Sequence, residues 1–252
     1  MKNKNMSQIL DLLKLAIKTI CIPLHPAGLP FIIAFALVTI LLALLAKPLG
    51  LIGLILTLWC IYFFRNPKRM TPTRGGLIIS PADGVVSSIG KAALPPELET
   101  DDENDPLFSA KSLTRISIFL NVFDVHVNRV PVDGEVTQVV YHPGKFFNAS
   151  LDKASLDNER NSVLMKPSVG GSSIAFVQIA GLIARRILCD IKGGEKMKAG
   201  ERYGIIRFGS RVDIYLPPRV MPHVIVGQYM LGGETVIADL NSKEKAREGE
   251  IR

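Results

Sequence analysis

Only three cysteines occur in 252 residues, Cys21, Cys60 and Cys189. They are odd in number and widely spaced, with neither a C-x-x-C pair nor a Cys/His cluster. That excludes a disulfide framework and a structural zinc site, and it favours a reducing compartment. A metal signature, a Walker loop and a G-x-G-x-x-G after a strand are also missing; Gly193-Gly194 and Gly232-Gly233 read as turn glycines. Acid is nearly absent from the first 74 residues, where nine Lys and Arg face Asp11 alone. The net charge of +7 therefore divides into +8 on that segment and −1 on the rest. A nucleic-acid binder spreads basic residues over its folded surface, so nucleic acid is not an expected partner. With 48% hydrophobic residues, the chain is also far from the composition of a disordered protein.

What the N-terminus has instead is long apolar runs. Leu29 to Ala46 reads LPFIIAFALVTILLALLA without one charge, and after Lys47-Pro48 the chain resumes with LGLIGLILTLWCIYFF to Phe64. Each run is near the lower length limit for a spanning helix. Together they predict a helical hairpin turning at Lys47-Pro48-Leu49-Gly50, with Pro48 breaking the helix. Trp59 and Tyr62 sit where amphipathic rings favour the interface, and residues 6–20 read as an amphipathic lead-in. Basic flanks (Lys14, Lys18, then Arg65, Lys68, Arg69) assign both ends to the cytoplasmic side of the cell (inner) membrane. A signal peptide is the main rival, but the runs are too long in sum and no suitably placed cleavage site follows.

Beyond residue 74 short strand-like segments replace the long runs: 76–80, 84–90, 115–121, 134–141, 173–180, 203–208, 212–217, 223–228 and 233–240. They are rich in Ile and Val and bounded by turn formers, while helical periodicity is scarce. The expected organisation is a membrane-associating region, 1–74, and a mainly β catalytic domain of barrel or sandwich type, 75–252. PPELETDDENDP (95–106) reads as a solvated loop, and the charged tail after Asp239 as frayed. A weak internal echo links Pro81-Ala82-Asp83-Gly84 to Pro131-Val132-Asp133-Gly134, two P-x-D-G turns that launch strands.

The segment with most chemical content is YGIIRFGSRVDIYLP, 203–217. Gly209 permits strained backbone angles and leaves its carbonyl open to approach. Ser210 Oγ is covalently next to that carbonyl, so a local base could drive attack on the Gly209–Ser210 amide and give an ester by N-to-O acyl shift. Gly-Ser is also a common turn dipeptide.

The chain resembles the short, membrane-associated, pyruvoyl-dependent form of the phosphatidylserine decarboxylase family. The likeness rests on the apolar N-terminus, FFRNPKR at 63–69, SPADG at 80–84, NVFDVHVNRVP at 121–131, YHPGKFFNA at 141–149 and RFGSRVDIYLP at 207–217, in the family's order. It implies a proenzyme that cuts itself between Gly209 and Ser210 into chains of residues 1–209 and 210–252 that stay associated. It also implies that Ser210 becomes a covalent pyruvoyl group, which forms a Schiff base with the serine headgroup and takes up the electrons released with carbon dioxide. No free cofactor and no metal are implied. The substrate is phosphatidylserine in the membrane, and a homo-oligomer is compatible.

The family's Asp-His-Ser arrangement maps onto Asp83, His126 and Ser210. Its long forms carry H-x-x-H here; this chain has Arg129 at the second position, which leaves His142 as a candidate for the second proton-transfer role. Arg129 and Lys145 are candidate partners for the lipid phosphate; His25 and His223 read as structural. Two rivals use the same features: a membrane-anchored serine hydrolase or peptidase with Ser210 and His126, and a non-enzymatic adaptor with a biotinyl-like β domain, for which EKMKAG around Lys196 and Lys198 is a partial match.

Overall fold

The computed structural model describes residues 22–100, 102, 104–149, 157–182, 186–207 and 209–250. The chain divides into two compact units, Met1–Lys68 and Arg69–Arg252. Segment 69–74 belongs to the second unit through two ion pairs, Arg69 with Asp83 and Arg74 with Asp239. The amphipathic lead-in expected over 6–20 and Cys21 lie outside the described residues.

In the first unit a short 3-10 turn, Pro26–Gly28, leads into α1 (Leu29–Leu45), and α2 (Lys47–Phe63) follows after a single residue. The turn is tighter than the expected four residues. Ala46 alone breaks the helix, in an extended conformation (φ −158°, ψ 134°), and Pro48 lies inside the first turn of α2. Proline is tolerated there because that N–H has no helical partner in any case. Gly50 and Gly53 of α2 lie so close to Ala43 and Thr39 of α1 that a methyl group on either would clash. Thr39 and Thr57 share a hydroxyl hydrogen bond of 2.9 Å across the pair. Small residues and hydroxyl pairs at a close helix crossing suit an apolar solvent, where burial of hydrocarbon adds nothing. Pro26–Leu45 is long and apolar enough to cross a membrane, and Lys47–Phe63 is apolar but shorter.

Among the described residues the second unit has thirteen short strands: β1 (Leu77–Ile79), β2 (Gly84–Ala92), β3 (Leu113–Leu120), β4 (Val127–Arg129), β5 (Gly134–His142), β6 (Arg160–Pro167), β7 (Ile174–Ala180), β8 (Ile187–Cys189), β9 (Lys196–Met197), β10 (Arg202–Ile206), β11 (Ser210–Leu216), β12 (Tyr229–Met230) and β13 (Val236–Asp239). Eight form a curled antiparallel sheet in the order β12-β2-β3-β11-β7-β6-β5-β9; β4-β10-β8 and β1-β13 form two smaller sheets. Alternate residues of the large sheet, among them Val86, Ile118, Val163, Phe176, Val212 and Ile214, pack with Val130, Tyr203, Ile206 and Ile237 from the smaller sheets into the main core. The expectation of a mainly β domain of barrel or sandwich type is met by this curled antiparallel sheet.

The echo between the two P-x-D-G turns is a structural duplication. β12-β2-β3-β11 mirrors β9-β5-β6-β7 about the sheet centre. Gly84 pairs with Met230 and Gly134 with Met197, and both β2 and β5 carry a bulge two residues further on. Both aspartates cap a backbone N–H, Asp83 that of Gly232 and Asp133 that of Ala199.

Two expectations need correction. Residues 223–228 are not a strand: Ile225 N–H donates to the Gln228 side chain, Gln228 N–H donates back to the Ile225 carbonyl, and Gly227 (φ +89°) lies in that turn, while His223 N–H reaches Ile237 and Gly227 N–H reaches Val86 without building a ladder. The acidic loop is not simply solvated either. Leu98 and Leu107 are buried in a second apolar cluster on the outer face of the large sheet, and Pro106–Ser109 forms a single helical turn. Glu97 from the same loop receives Arg160 at 2.7 Å and Ser162 at 2.7 Å.

Candidate active site

β11 lies at the centre of the large sheet and its first residue is Ser210, opposite Leu120 of β3 and Ala180 of β7. Gly84 extends this row one strand beyond Leu120, because its neighbour Val85 pairs with Phe119. Residues just outside these strand ends (Asp83, Asn121, Gly181, Gly209) therefore gather at one edge of the sheet, although they are scattered in sequence.

Ser210 is completely buried, and its Oγ has no hydrogen-bond partner among the described residues. An orphaned buried hydroxyl costs about 1–3 kcal/mol and marks a position kept for another purpose. Gly209 adopts φ +67°, in the left-handed region that other residues rarely enter. Its carbonyl oxygen lies against Gly181, where a Cβ would collide with it.

The loop between β3 and β4 carries the candidate base, His126. Asn121 and Asp124 cap each other's backbone, with Asn121 N–H donating to Asp124 Oδ2 at 2.8 Å. Tyr229 Oη donates to Asp124 Oδ1 at 2.7 Å. The Asp124 carbonyl then lies 3.0 Å from Nδ1 of His126. A carbonyl can only accept, so Nδ1 carries the proton and Nε2 keeps its lone pair. Nε2 in turn accepts the Gly209 N–H at 3.3 Å. The ring of His126, fully buried, is thus in contact with the Gly209-Ser210 dipeptide.

Asp83 is at the same sheet edge but is bonded elsewhere, to Arg69 at 2.5 Å and to the Gly232 N–H at 2.8 Å. Burial raises its carboxyl above the ordinary range, against the opposing pull of Arg69. Imidazole orientation comes from the Asp124 carbonyl. Arg129 is 5% exposed and donates to the Gly200 carbonyl at 2.7 Å. Burial, then the neighbouring Arg202 and Arg69, lower its pKa to about 10. His142 is half-buried at the end of β5 opposite Arg160, three strands from β11. Lys145 is exposed, with Nζ 5.6 Å from the Phe147 ring centre. His25 caps the 3-10 turn, and His223 is buried with its N–H on Ile237. Among the described residues no group of three or more His, Cys, Asp or Glu converges as a metal site.

Gly181, Asp124, Tyr229 and Arg69 are the site residues that sequence reasoning did not single out. The family-like blocks contain Asp124 and Arg69, but nothing local in the sequence signals Gly181, whose meaning lies in a close approach to Gly209.

The geometry can serve an internal acyl transfer: a buried hydroxyl, an adjacent carbonyl, and an imidazole whose Nε2 meets the N–H of the residue that bears that carbonyl. The residues present fit a group made from Ser210 itself, since the orphaned Oγ and the left-handed Gly209 leave this dipeptide unlike its neighbours in β11.

Comparison with known proteins gives the same direction. The sequence pattern of the phosphatidylserine decarboxylase family matches residues 56–238. A phosphatidylserine decarboxylase proenzyme of Cereibacter sphaeroides is 56% identical over 243 residues, covering 96% of this chain and 99% of that protein. Proenzymes of the same name from Paramagnetospirillum magneticum (55% over 235 residues; 93% of this chain, 94% of that protein) and Rickettsia felis (56% over 223; 88% and 93%) are similar in extent.

Proposed function

The chain belongs to the phosphatidylserine decarboxylase family, and from that membership we propose how its own residues make and use the reactive centre. It is a proenzyme of the carboxy-lyase that converts phosphatidylserine to phosphatidylethanolamine. The observation that carries the residue assignment is the contact of His126 Nε2 with the Gly209 N–H, beside a buried Ser210 Oγ.

His126 Nε2 takes the Ser210 hydroxyl proton, and Oγ attacks the Gly209 carbonyl carbon. The peptide C–N bond breaks, its nitrogen takes a proton, and an ester joins Gly209 to Ser210. Loss of the Ser210 Cα proton expels the Gly209 carboxylate and leaves dehydroalanine at 210. Addition of water and release of ammonia complete the ketone. When formed, the pyruvoyl group supplies the electron sink for decarboxylation. Asp124 holds the imidazole through its carbonyl, and Asp83, kept against burial by Arg69, adds negative charge at the same edge. Because His126 lies at the dipeptide and His142 three strands away, we assign His126 to both self-cleavage and proton delivery. Lys145 is exposed and suited to the lipid phosphate; Arg129 is assigned to holding the Gly200 turn. The apolar N-terminal helices attach the enzyme to the inner membrane, with the basic flanks on the cytoplasmic side.

Intact mass under denaturing conditions tests the cut. Two chains, 1–209 and 210–252, are expected, the second with a blocked N-terminus; Ser210→Ala should remain one chain without activity. A single wild-type chain, or a cut Ser210→Ala protein, overturns the assignment.

A further inference from the structure

The reactive dipeptide is gripped by two loops, and each carries a large exposed hydrophobic residue beside its grip. The loop Asn121–Val125 places the Asp124 carbonyl on His126 and holds Phe123 at 60% exposure. On the other side, Gly181 packs on the Gly209 carbonyl and the next residue, Leu182, is 69% exposed. Neither side chain belongs to the main core of this unit. Exposed apolar groups beside a reaction centre signal a binding surface.

Charge near these loops has a sign. Lys145 is exposed, and its segment is tied to the end of β7 by Asn158, which donates to the carbonyls of Phe147 at 2.8 Å and of Ala180 at 2.7 Å. Arg186 is exposed, and its carbonyl accepts the N–H of Arg207, two residues before Gly209. Arg207 itself is half-buried, and one exposed acid, Asp157, lies by Lys145. Among the described residues these exposed cations lie on the Leu182 side, while the Asp124 carboxylate beside Phe123 is taken up by Tyr229 and the Asn121 N–H.

We infer that Phe123 and Leu182 form an interfacial rim by which the catalytic unit itself engages an anionic lipid bilayer, so that the headgroup of a membrane-resident substrate enters between them toward Ser210. The inference rests on the decarboxylase reading, because Ser210 is completely buried and its substrate is a diacyl lipid. A headgroup can leave the bilayer plane by only a short distance while its acyl chains stay in hydrocarbon. The mouth of the site must therefore touch the bilayer, and apolar side chains with cations on one side suit that boundary. The rim belongs to the second unit and not to the N-terminal helices.

The test uses the full-length, self-cleaved enzyme with Phe123→Ser and Leu182→Ser combined, and Phe123→Trp with Leu182→Phe as the conservative counterpart. Substrates are phosphatidylserine in phosphatidylcholine vesicles and a short-chain phosphatidylserine below its micelle concentration. The serine variant should be cut at 209/210 like the wild type and should turn over the monomeric substrate at the wild-type rate. On vesicles its kcat/KM should fall by roughly tenfold or more, since each buried apolar side chain contributes strongly to interfacial binding. The conservative variant should keep the vesicle rate. Equal losses on both substrates, no loss on either, or a changed oligomeric mass with an unchanged vesicle rate would overturn the rim. Failure of the wild type to decarboxylate phosphatidylserine in either form would instead refute the functional reading beneath it.

Discussion

At the scale of single residues the site depends on a few distances that leave no room for alternatives. Gly181 is the clearest case, because a Cβ there would meet the Gly209 carbonyl oxygen, the atom whose carbon must be attacked. Gly181→Ala is expected to fold, since the displaced groups lie at a strand end, but to process at least ~10-fold more slowly as the carbonyl is pushed from its position. Timed denaturing electrophoresis of the 210–252 chain measures this, and unchanged processing would show that the close approach is incidental. The tautomer of His126 is decided at this scale too. A backbone carbonyl on Nδ1 leaves Nε2 as the acceptor whatever Asp83 does.

Among the elements, the acidic loop is more than a connection. Glu97 is held by Arg160 and Ser162. Although burial alone would raise it, those hydrogen bonds and the Arg160 charge bring its pKa from 4.5 down to about 2. A carboxyl depressed on folding contributes stability that is present above its unfolded value and lost as pH falls through the folded one. Thermal stability of the wild type should therefore drop between pH 4.5 and about 2 in part through this group. Glu97→Gln should flatten that part of the profile and cost roughly 2 kcal/mol at neutral pH, less than the full depression implies because the loop is within reach of water. Arg160, 3% exposed, would be left without its carboxylate, and melting curves across pH would reveal an unchanged profile if the pair were only a surface contact.

The α1–α2 pair and β11 illustrate how far elements can be read in advance. Both apolar helices follow from hydropathy, and so does β11, whose alternation of Val212, Ile214 and Leu216 faces the main core. β4, β8 and β9 are two or three residues long and exist only because a neighbouring strand supplies hydrogen-bond partners; no local periodicity announces them. β6 is hidden for another reason. Its polar residues Arg160, Asn161 and Ser162 are buried against Glu97 and Gln178, so the polar signal that reads as loop is neutralised by tertiary partners.

For the whole molecule, the proposed position of the cut has a structural consequence. The chain 210–252 begins with β11, which is paired on both sides by β3 and β7 of the larger chain, and it adds β12 and β13 to two sheet edges. Cleavage at 209/210 removes one covalent bond and none of these ladders. The two chains should therefore co-elute in native size exclusion in detergent and separate only in denaturant; spontaneous dissociation would contradict this arrangement. The duplicated half-sheets meet at β11 and β7, so the reactive residue sits on the pseudo-symmetry seam, where only one half supplies the histidine loop.

The sequence by itself determined the apolar hairpin, the charge partition and the mainly β body, and through its family resemblance it pointed to the Gly209-Ser210 pair as the proposed reactive point. These follow from composition and from short contiguous patterns, and such signals survive without a fold. Tertiary structure alone decided that Gly181 presses on the Gly209 carbonyl, that the Asp124 carbonyl meets Nδ1 of His126, and that Arg129 is buried on the Gly200 carbonyl. Each of these is a contact between residues far apart in sequence, set by strand register and by which loops meet at one sheet edge. A linear pattern records which groups are available; only the register decides which of them touch.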